Sequence, residues 1–465
     1  MEKRKSMVTM ALLIATFLSA IEVTIVSTAM PAIVDKLGGF ELMSWVFAVY
    51  LLTSAIMTPI FGKLSDLFGR KIVFIVGTSL FVAGSVLCGF SQNMHQLIAF
   101  RALQGLGAGA VIPVTFTIIG DLFTFEQRAK VQGMLSSVWG IAGIFGPLVG
   151  GFFTDYLSWH WIFFINVPFG IVSIFIISVY FKENLEKKRR RIDYGGAITF
   201  AVGMTALLYV LLTGGHELPW SSPIILGFAG VAFLFLAVFV LIQMRHPEPM
   251  VPLKLFRIPD LAVSNTVSFT TSGILIGLTA YLPMWIQGVL LLGASSSGLT
   301  LTPMSIGWPL GAIVSGRIMT RIGTRTTSLI GLLFVCIGAA ALSTIGMSTP
   351  NLALVFIMFT VGLGFGLSIT VITVIVQSSV DWNMRGAATS ANTFLRTLGQ
   401  TLGIAFLGTL LNHRLGTSTA NEAVPPDVLA SGLHAVFVSL AVLAVISFAA
   451  AFRIPNRKAG GNLVS

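Results

Sequence analysis

Glu22 is the only ionisable residue between Met7 and Pro31, in a stretch that is otherwise apolar or weakly polar. A carboxyl group in such surroundings is costly to keep ionised, and it persists by finding a cationic partner or by lining a wet passage. The chemistry that suits it is uptake and release of a proton. Arg101 is the second residue of this kind. It lies several positions inside the apolar run 96–119, with Gln104 one turn further on. An arginine at that depth costs about 2.5–3.5 kcal/mol on insertion scales, so it too needs a partner or water. A permanent Glu22–Arg101 pair, or an Arg101 that reaches back to the membrane surface, is the plain structural alternative to a role in proton handling.

Other chemistry has no footing in the chain. There is no phosphate-binding glycine loop with its lysine, no metal-ligand cluster and no nucleophile–base signature. We therefore expect no enzyme, no metal and no cofactor, with energy drawn from an ion gradient. Cys88 and Cys336 both fall in apolar runs, so a disulfide framework is not expected.

The elements that must hold Glu22 and Arg101 follow from composition. Only 10% of residues are charged, and 55% are hydrophobic. A soluble domain carries about 25% charged residues, so the main solvent of this chain is lipid. About fourteen apolar stretches reach the roughly 20 residues that a spanning helix needs. They lie near 8–30, 42–61, 72–91, 96–119, 132–154, 161–181, 194–213, 223–243, 261–281, 299–316, 326–346, 352–377, 390–411 and 431–452. The net charge of +11 is spread through short loops at alternate ends of these stretches, which is an orientation signal and not a nucleic-acid footprint. Lys and Arg fall mostly on the side that holds both termini, which places both termini in the cytoplasm.

A ten-residue turn, Gly62-Lys63-Leu64-Ser65-Asp66-Leu67-Phe68-Gly69-Arg70-Lys71, returns in weaker form at Gly316-Arg317-Ile318-Met319-Thr320-Arg321-Ile322-Gly323-Thr324-Arg325, 254 residues later. A charged turn repeated between apolar stretches marks a duplicated membrane bundle. The expected organisation is an all-α membrane protein. It comprises a six-helix bundle over 1–181, a linker with two additional spans over 182–260, and a second six-helix bundle over 261–465. The charged run Lys182 to Arg191 reads as a soluble strap that can touch anionic headgroups.

Three of these segments resemble the major facilitator superfamily, and within it the fourteen-helix drug:proton antiporter group; the resemblance covers nearly the whole chain. Gly62 to Lys71 is similar to the family's loop motif G-x-L-x-D-x-x-G-R-K/R. Arg101, Gln104 and Gly105 match R-x-x-Q-G. Ala142 to Gly151 resembles the antiporter motif g-x-x-x-G-P-x-x-G-G, with Gly143, Gly146, Pro147, Gly150 and Gly151 in place and Ala142 where glycine is common. Ser158 to Gly170 resembles S-W-R-W-x-F-x-I-N-x-P-x-G, with His160 in place of the usual arginine, a change that could make that end of its helix sensitive to pH. Glu22 stands where the family often carries aspartate.

The resemblance implies roles. Glu22, Arg101 and Gln104 would couple transport to protons. Gly62, Asp66, Gly69, Arg70 and Asp121, with Arg317, Arg321 and Arg325 of the second copy, would form a gate whose charges latch and release. The proline and glycines of the third motif would act as a hinge or seal and favour antiport. Cargo would be an amphipathic or cationic drug, or another lipophilic compound, exported across the plasma membrane of a bacterial-type cell by a monomer. A specific physiological cargo such as a lipid, siderophore or amino-acid-like metabolite is the alternative.

Between Asp260 and Asp381 there is no acidic residue, which weighs against divalent cations as cargo. Aromatic and neutral polar residues are the candidates for the cavity lining: Tyr50, Trp139, Asn265, Tyr281, Trp285, Gln287, Trp308, Gln377, Asn392, Phe394 and Gln400. Beyond membrane lipid, protons and that small molecule, no partner is expected.

Overall fold

The structure, a computed structural model, describes residues 2–123, 125–183, 193–215, 218–381, 384–415, 424–454 and 456. The strap 184–191 lies outside the described residues, as do the side chains of Asp66 and Asp121.

The chain divides into two compact units, Met1–Met250 and Val251–Ser465. The first holds α1 (Glu2–Leu37), α2 (Met43–Phe68), α3 (Arg70–Gly89), α4 (Met94–Leu122), α5 (Phe125–Tyr156), α6 (Trp161–Phe164), α7 (Asn166–Tyr180), α8 (Tyr194–Thr213) and α9 (Pro223–Arg245). The short α6 leads directly into α7, and together they make one span, Trp161–Tyr180. The second unit holds α10 (Pro259–Met284), α11 (Ala294–Ile322), α12 (Thr324–Leu342), α13 (Asn351–Ser378), α14 (Arg385–Leu415) and α15 (Pro426–Ala451).

Among the described residues, thirteen helices are long and apolar enough to cross a membrane, where the sequence suggests fourteen. The difference is α11. It has 29 residues, but Pro303, Pro309 and a serine- and threonine-rich start dilute its apolar character. It packs along α13, where Gly307 and Gly311 lie directly against the α13 backbone.

Local chemistry sets the helix starts. The Asn93 side chain accepts from Gln96 N at 2.9 Å to open α4, and Asp193 accepts from Gly196 N at 2.7 Å to open α8. The duplicated turn is a structural repeat as well as a sequence repeat. Gly69 joins α2 to α3 with φ 95°, and Gly323 joins α11 to α12 with φ 94°. Only glycine adopts that backbone without strain.

In the first unit the core gathers Leu12, Phe74, Val114 and Ile177 from four helices. The α1–α5 contact is close because α5 carries glycine where the helices meet. A Cβ at Gly150 would lie 2.7 Å from the Ile25 carbonyl, and one at Gly146 would collide with Thr24. Small residues of this kind let membrane helices pack backbone to backbone. Here they fix α1, the helix that carries Glu22. In the second unit the core is built from Val267, Leu332, Ile372 and Ala391.

Candidate functional site

Glu22 on α1 and Arg101 on α4 meet inside the first unit, where Glu22 is 0% and Arg101 1% exposed. Arg101 Nη1 donates to Glu22 Oε1 and, at 2.7 Å, to Gln104 Oε1 one turn along its own helix. Its Nε donates to the Val46 carbonyl of α2 at 3.3 Å. The guanidinium also sits over the Tyr50 ring, 4.0 Å from its centroid, which adds a cation–π contact in a dry setting. Arg101 is therefore not a surface anchor.

The other carboxylate oxygen is held from a third direction. Asn166, at the start of α7, donates from Nδ2 to Glu22 Oε2 at 2.7 Å and to Ser85 Oγ of α3 at 2.9 Å. Ser85 Oγ in turn donates to the Phe163 carbonyl at 2.8 Å. Asn166 Oδ1 is buried with no hydrogen-bond partner among the described residues. A buried, unpaired acceptor costs about 1–3 kcal/mol, so its place beside an ionisable carboxyl group calls for an explanation. Side chains of α1, α4 and α7 thus meet at one carboxyl group, which accepts from a cation on one oxygen and from a neutral amide on the other. Such a site can exist in two protonation states with different hydrogen-bond partners. Asn166 and Ser85 are absent from the candidates read from sequence. The available signal was two uncharged polar residues in strongly apolar runs, and it says nothing about which residues they meet.

The glycine-cornered turn of the first unit is ionically engaged. Glu183, just past α7, accepts from the backbone N–H of Arg70 at 2.9 Å and of Lys71 at 3.1 Å, and its Oε1 lies 3.3 Å from Arg70 Nη1. A carboxylate on the first N–H groups of α3 satisfies donors the helix leaves open and complements its dipole. Lys71 Nζ donates to the Ser178 carbonyl at 2.6 Å, and Lys63 Nζ lies 3.4 Å from Glu248 Oε2. In the second unit Arg325 Nε donates to the Ile454 carbonyl at 2.6 Å, whereas Arg317 and Arg321 are exposed on the end of α11. Gly62 lies on α2, facing Pro113 of α4. In α5, Gly143, Pro147 and Gly151 share the helix with the two glycines packed on α1.

The aromatic and polar residues proposed to line a cavity fall in both units. Tyr50 is spent on Arg101, and Trp139 is 50% exposed. In the second unit Tyr281 and Trp285 are fully buried, and Tyr281 donates to the Ile404 carbonyl at 3.2 Å. Asn392 Nδ2 donates to Asn265 Oδ1 at 2.8 Å and to Ser268 Oγ at 2.9 Å, joining α14 to α10. Gln287 donates to Ser297 Oγ at 3.0 Å, and Trp308 packs on Phe365. Gln377 is exposed, and Phe394 and Gln400 are half-buried on their helices.

His160, between α5 and α6, stacks on Trp159 with ring centroids 3.8 Å apart, and its Nδ1 lies 2.6 Å from Ser158 Oγ. Burial holds its imidazole below the ordinary histidine value.

Comparison with known proteins gives a consistent picture. The model of the Major Facilitator Superfamily matches residues 12–404. Multidrug transporter protein MdtP of Bacillus subtilis (strain 168) is 37% identical over 424 residues, covering 91% of this chain and 78% of that protein. Multidrug resistance protein 3 of the same organism is 39% identical over 416 residues, covering 90% and 81%. Among solved structures, a bacterial homologue of the human lysosomal transporter Spinster, inward-facing and unoccupied, aligns with a TM-score of 0.70 at 15% identity over 98% of each chain. The nucleoside transporter NupG aligns with a TM-score of 0.67 at 12% identity, covering 96% of this chain and 99% of that one. At those identities the structural likeness bears on fold alone.

Proposed function

The chain belongs to the Major Facilitator Superfamily and is a multi-pass membrane transporter, and on that premise we propose that it exports amphipathic, cationic or otherwise lipophilic compounds across the plasma membrane in exchange for protons. The likeness to two multidrug transport and resistance proteins of Bacillus subtilis supports drugs as the cargo class. The proton as coupling ion rests on one observation, a fully buried Glu22 that accepts from Arg101 and Asn166 on its two oxygens.

The hydrogen bonds to both oxygens suit an ionised carboxylate. When Glu22 takes a proton from outside, Arg101 loses its acidic partner and keeps, among the described residues, Gln104 Oε1, the Val46 carbonyl and the Tyr50 ring. A buried cation without its counter-charge is strongly disfavoured, and that drives rearrangement around α4. The new O–H must also find an acceptor. Rotating the Asn166 amide brings its Oδ1, unpartnered among the described residues, to Glu22, where it accepts the new O–H, and Ser85 Oγ can donate to the same oxygen by turning its single hydrogen away from the Phe163 carbonyl. The neutral and charged forms of Glu22 are then each satisfied by one orientation of Asn166, and the site has two stable states. The proton leaves toward the cytoplasm as cargo enters, and the first arrangement returns. The turn Gly62 to Lys71, with Asp66, Arg70 and Asp121, acts as the gate, and Glu183 holds its arginine and the start of α3.

Substrate-induced proton release from the purified protein tests this reading, with a panel of cationic and neutral amphiphiles and Glu22→Gln as the control. Release by the wild type and none by the variant is expected.

A further inference from the structure

Arg396 is, among the described residues, a charge without a counter-charge. It lies on α14, six residues inside the apolar stretch 390–411, about 9 Å along the helix at 1.5 Å per residue. Among the described residues, no carboxylate, carbonyl or side-chain oxygen pairs with it. The sequence around it is equally empty of partners, since Asp381 is the sole acidic residue between Asp260 and Glu422. The residue as a whole is half-buried.

A second observation gives the arginine its setting. Thr389, Thr393, Arg396, Thr397 and Gln400 recur at the spacing of one helix face. All five are exposed or half-exposed, whereas Ala388, Ala391, Ile404, Ala405 and Leu407 elsewhere on the helix are buried. A polar stripe is costly against lipid and is expected beside a water-filled passage. The rotation of α14 is not free. Asn392, one turn before Arg396, is buried and donates to Asn265 and Ser268 of α10, which fixes the direction of the stripe.

A guanidinium held this way offers a planar fork of donors that matches a carboxylate or sulfonate. We propose that Arg396 is the recognition residue for an anionic group on the transported molecule, so that the cargo class includes amphipaths bearing a carboxylate or sulfonate. The occupant is a small anionic amphiphile by charge complementarity, because the site supplies one cation, neutral hydroxyls and an amide, and no acid. The proposal deepens the export reading, on which it depends only for the occupant being cargo.

Equilibrium binding to the purified full-length protein in nanodiscs tests it, using two fluorescent probes with a shared skeleton. Anilinonaphthalene sulfonate carries the anion and phenylnaphthylamine lacks it. Arg396→Gln should weaken the sulfonate probe about tenfold or more, as loss of a charge-assisted contact implies, while the neutral probe changes by less than about twofold. Arg396→Lys should fall between. Glu22→Gln should keep the wild-type preference for the sulfonate, so that a failure of proton coupling leaves this result standing. Equal weakening of both probes in Arg396→Gln would assign the arginine to packing and overturn the proposal. Undiminished sulfonate binding in that variant, or a wild type that does not bind the sulfonate probe, would overturn it as well.

Discussion

Asn166 donates its amide to Glu22 Oε2 at 2.7 Å across 144 residues of sequence, while Arg101 takes Oε1. The carboxyl group is thereby held between a charge and a neutral amide whose own oxygen has no partner. Replacing Asn166 with Leu should cost about 1–3 kcal/mol in stability, because Glu22 loses a buried donor. It should also change the pH profile of efflux, as the acceptor for protonated Glu22 is lost. Thermal unfolding and transport rate against pH check both. A stability loss with an unaltered pH profile would confine Asn166 to a structural role.

The contact between α1 and α5 predicts a steric effect. A Cβ at Gly150 would sit 2.7 Å from the Ile25 carbonyl, on backbone that cannot yield as a side-chain tip would. Gly150→Val should destabilise the first unit by about 1–3 kcal/mol through overpacking and slow efflux by displacing α1. Gly316→Val, at a position with open space around it, is the matched control and should unfold as the wild type does.

Glu183 caps α3 and lies 3.3 Å from Arg70, so it belongs with the gate proposed for that turn. Glu183→Gln should lower turnover more than apparent affinity, because it removes a charge that restrains the moving turn while leaving the Glu22 site intact. Glu183→Ala, which removes the cap as well as the charge, should cost about 0.5–2 kcal/mol in stability. Asp66→Asn should likewise lower turnover more than affinity. Rates and half-saturation measured in the same vesicles separate the two quantities, and unchanged turnover in both variants would argue against a latch.

His160 gives a pH prediction with a definite sign. Burial lowers its folded-state value, so the folded protein favours the neutral ring. As pH falls through the ordinary value of 6.5, the unfolded chain binds the proton first and stability declines. Unfolding midpoints recorded from about pH 8 to about pH 5 should drop on the acid side, and His160→Asn should flatten that slope.

Much of this was legible in the chain because charge is so scarce in its apolar runs. Glu22 and Arg101 stand out without any structure, and the repeated turn announces itself by its glycines, which prove to share one backbone conformation. Asn166 was not legible as a partner of Glu22. An uncharged residue among Trp and Phe gives no sign of what it faces until α7 is packed on α1 and α3. Glu183 was hidden in a run of charges that reads as a solvated strap, although its carboxylate is tied to α3. Arg396 was not legible either, because a cation acquires meaning only when the helix face around it is known. The shortfall of α11 as an apolar span has a compositional cause, its prolines, serines and threonines, of which Thr300 and Ser315 hydrogen-bond to α13.

The account stands or falls on whether the carboxyl group of residue 22 carries the coupling ion. Proton movement into vesicles, driven by an outward flux of a lipophilic cation, measures this directly in wild type and Glu22→Gln side by side. Proton movement in the wild type that vanishes in the variant, with ligand binding retained, is the predicted result. Equal proton movement in both would contradict the account.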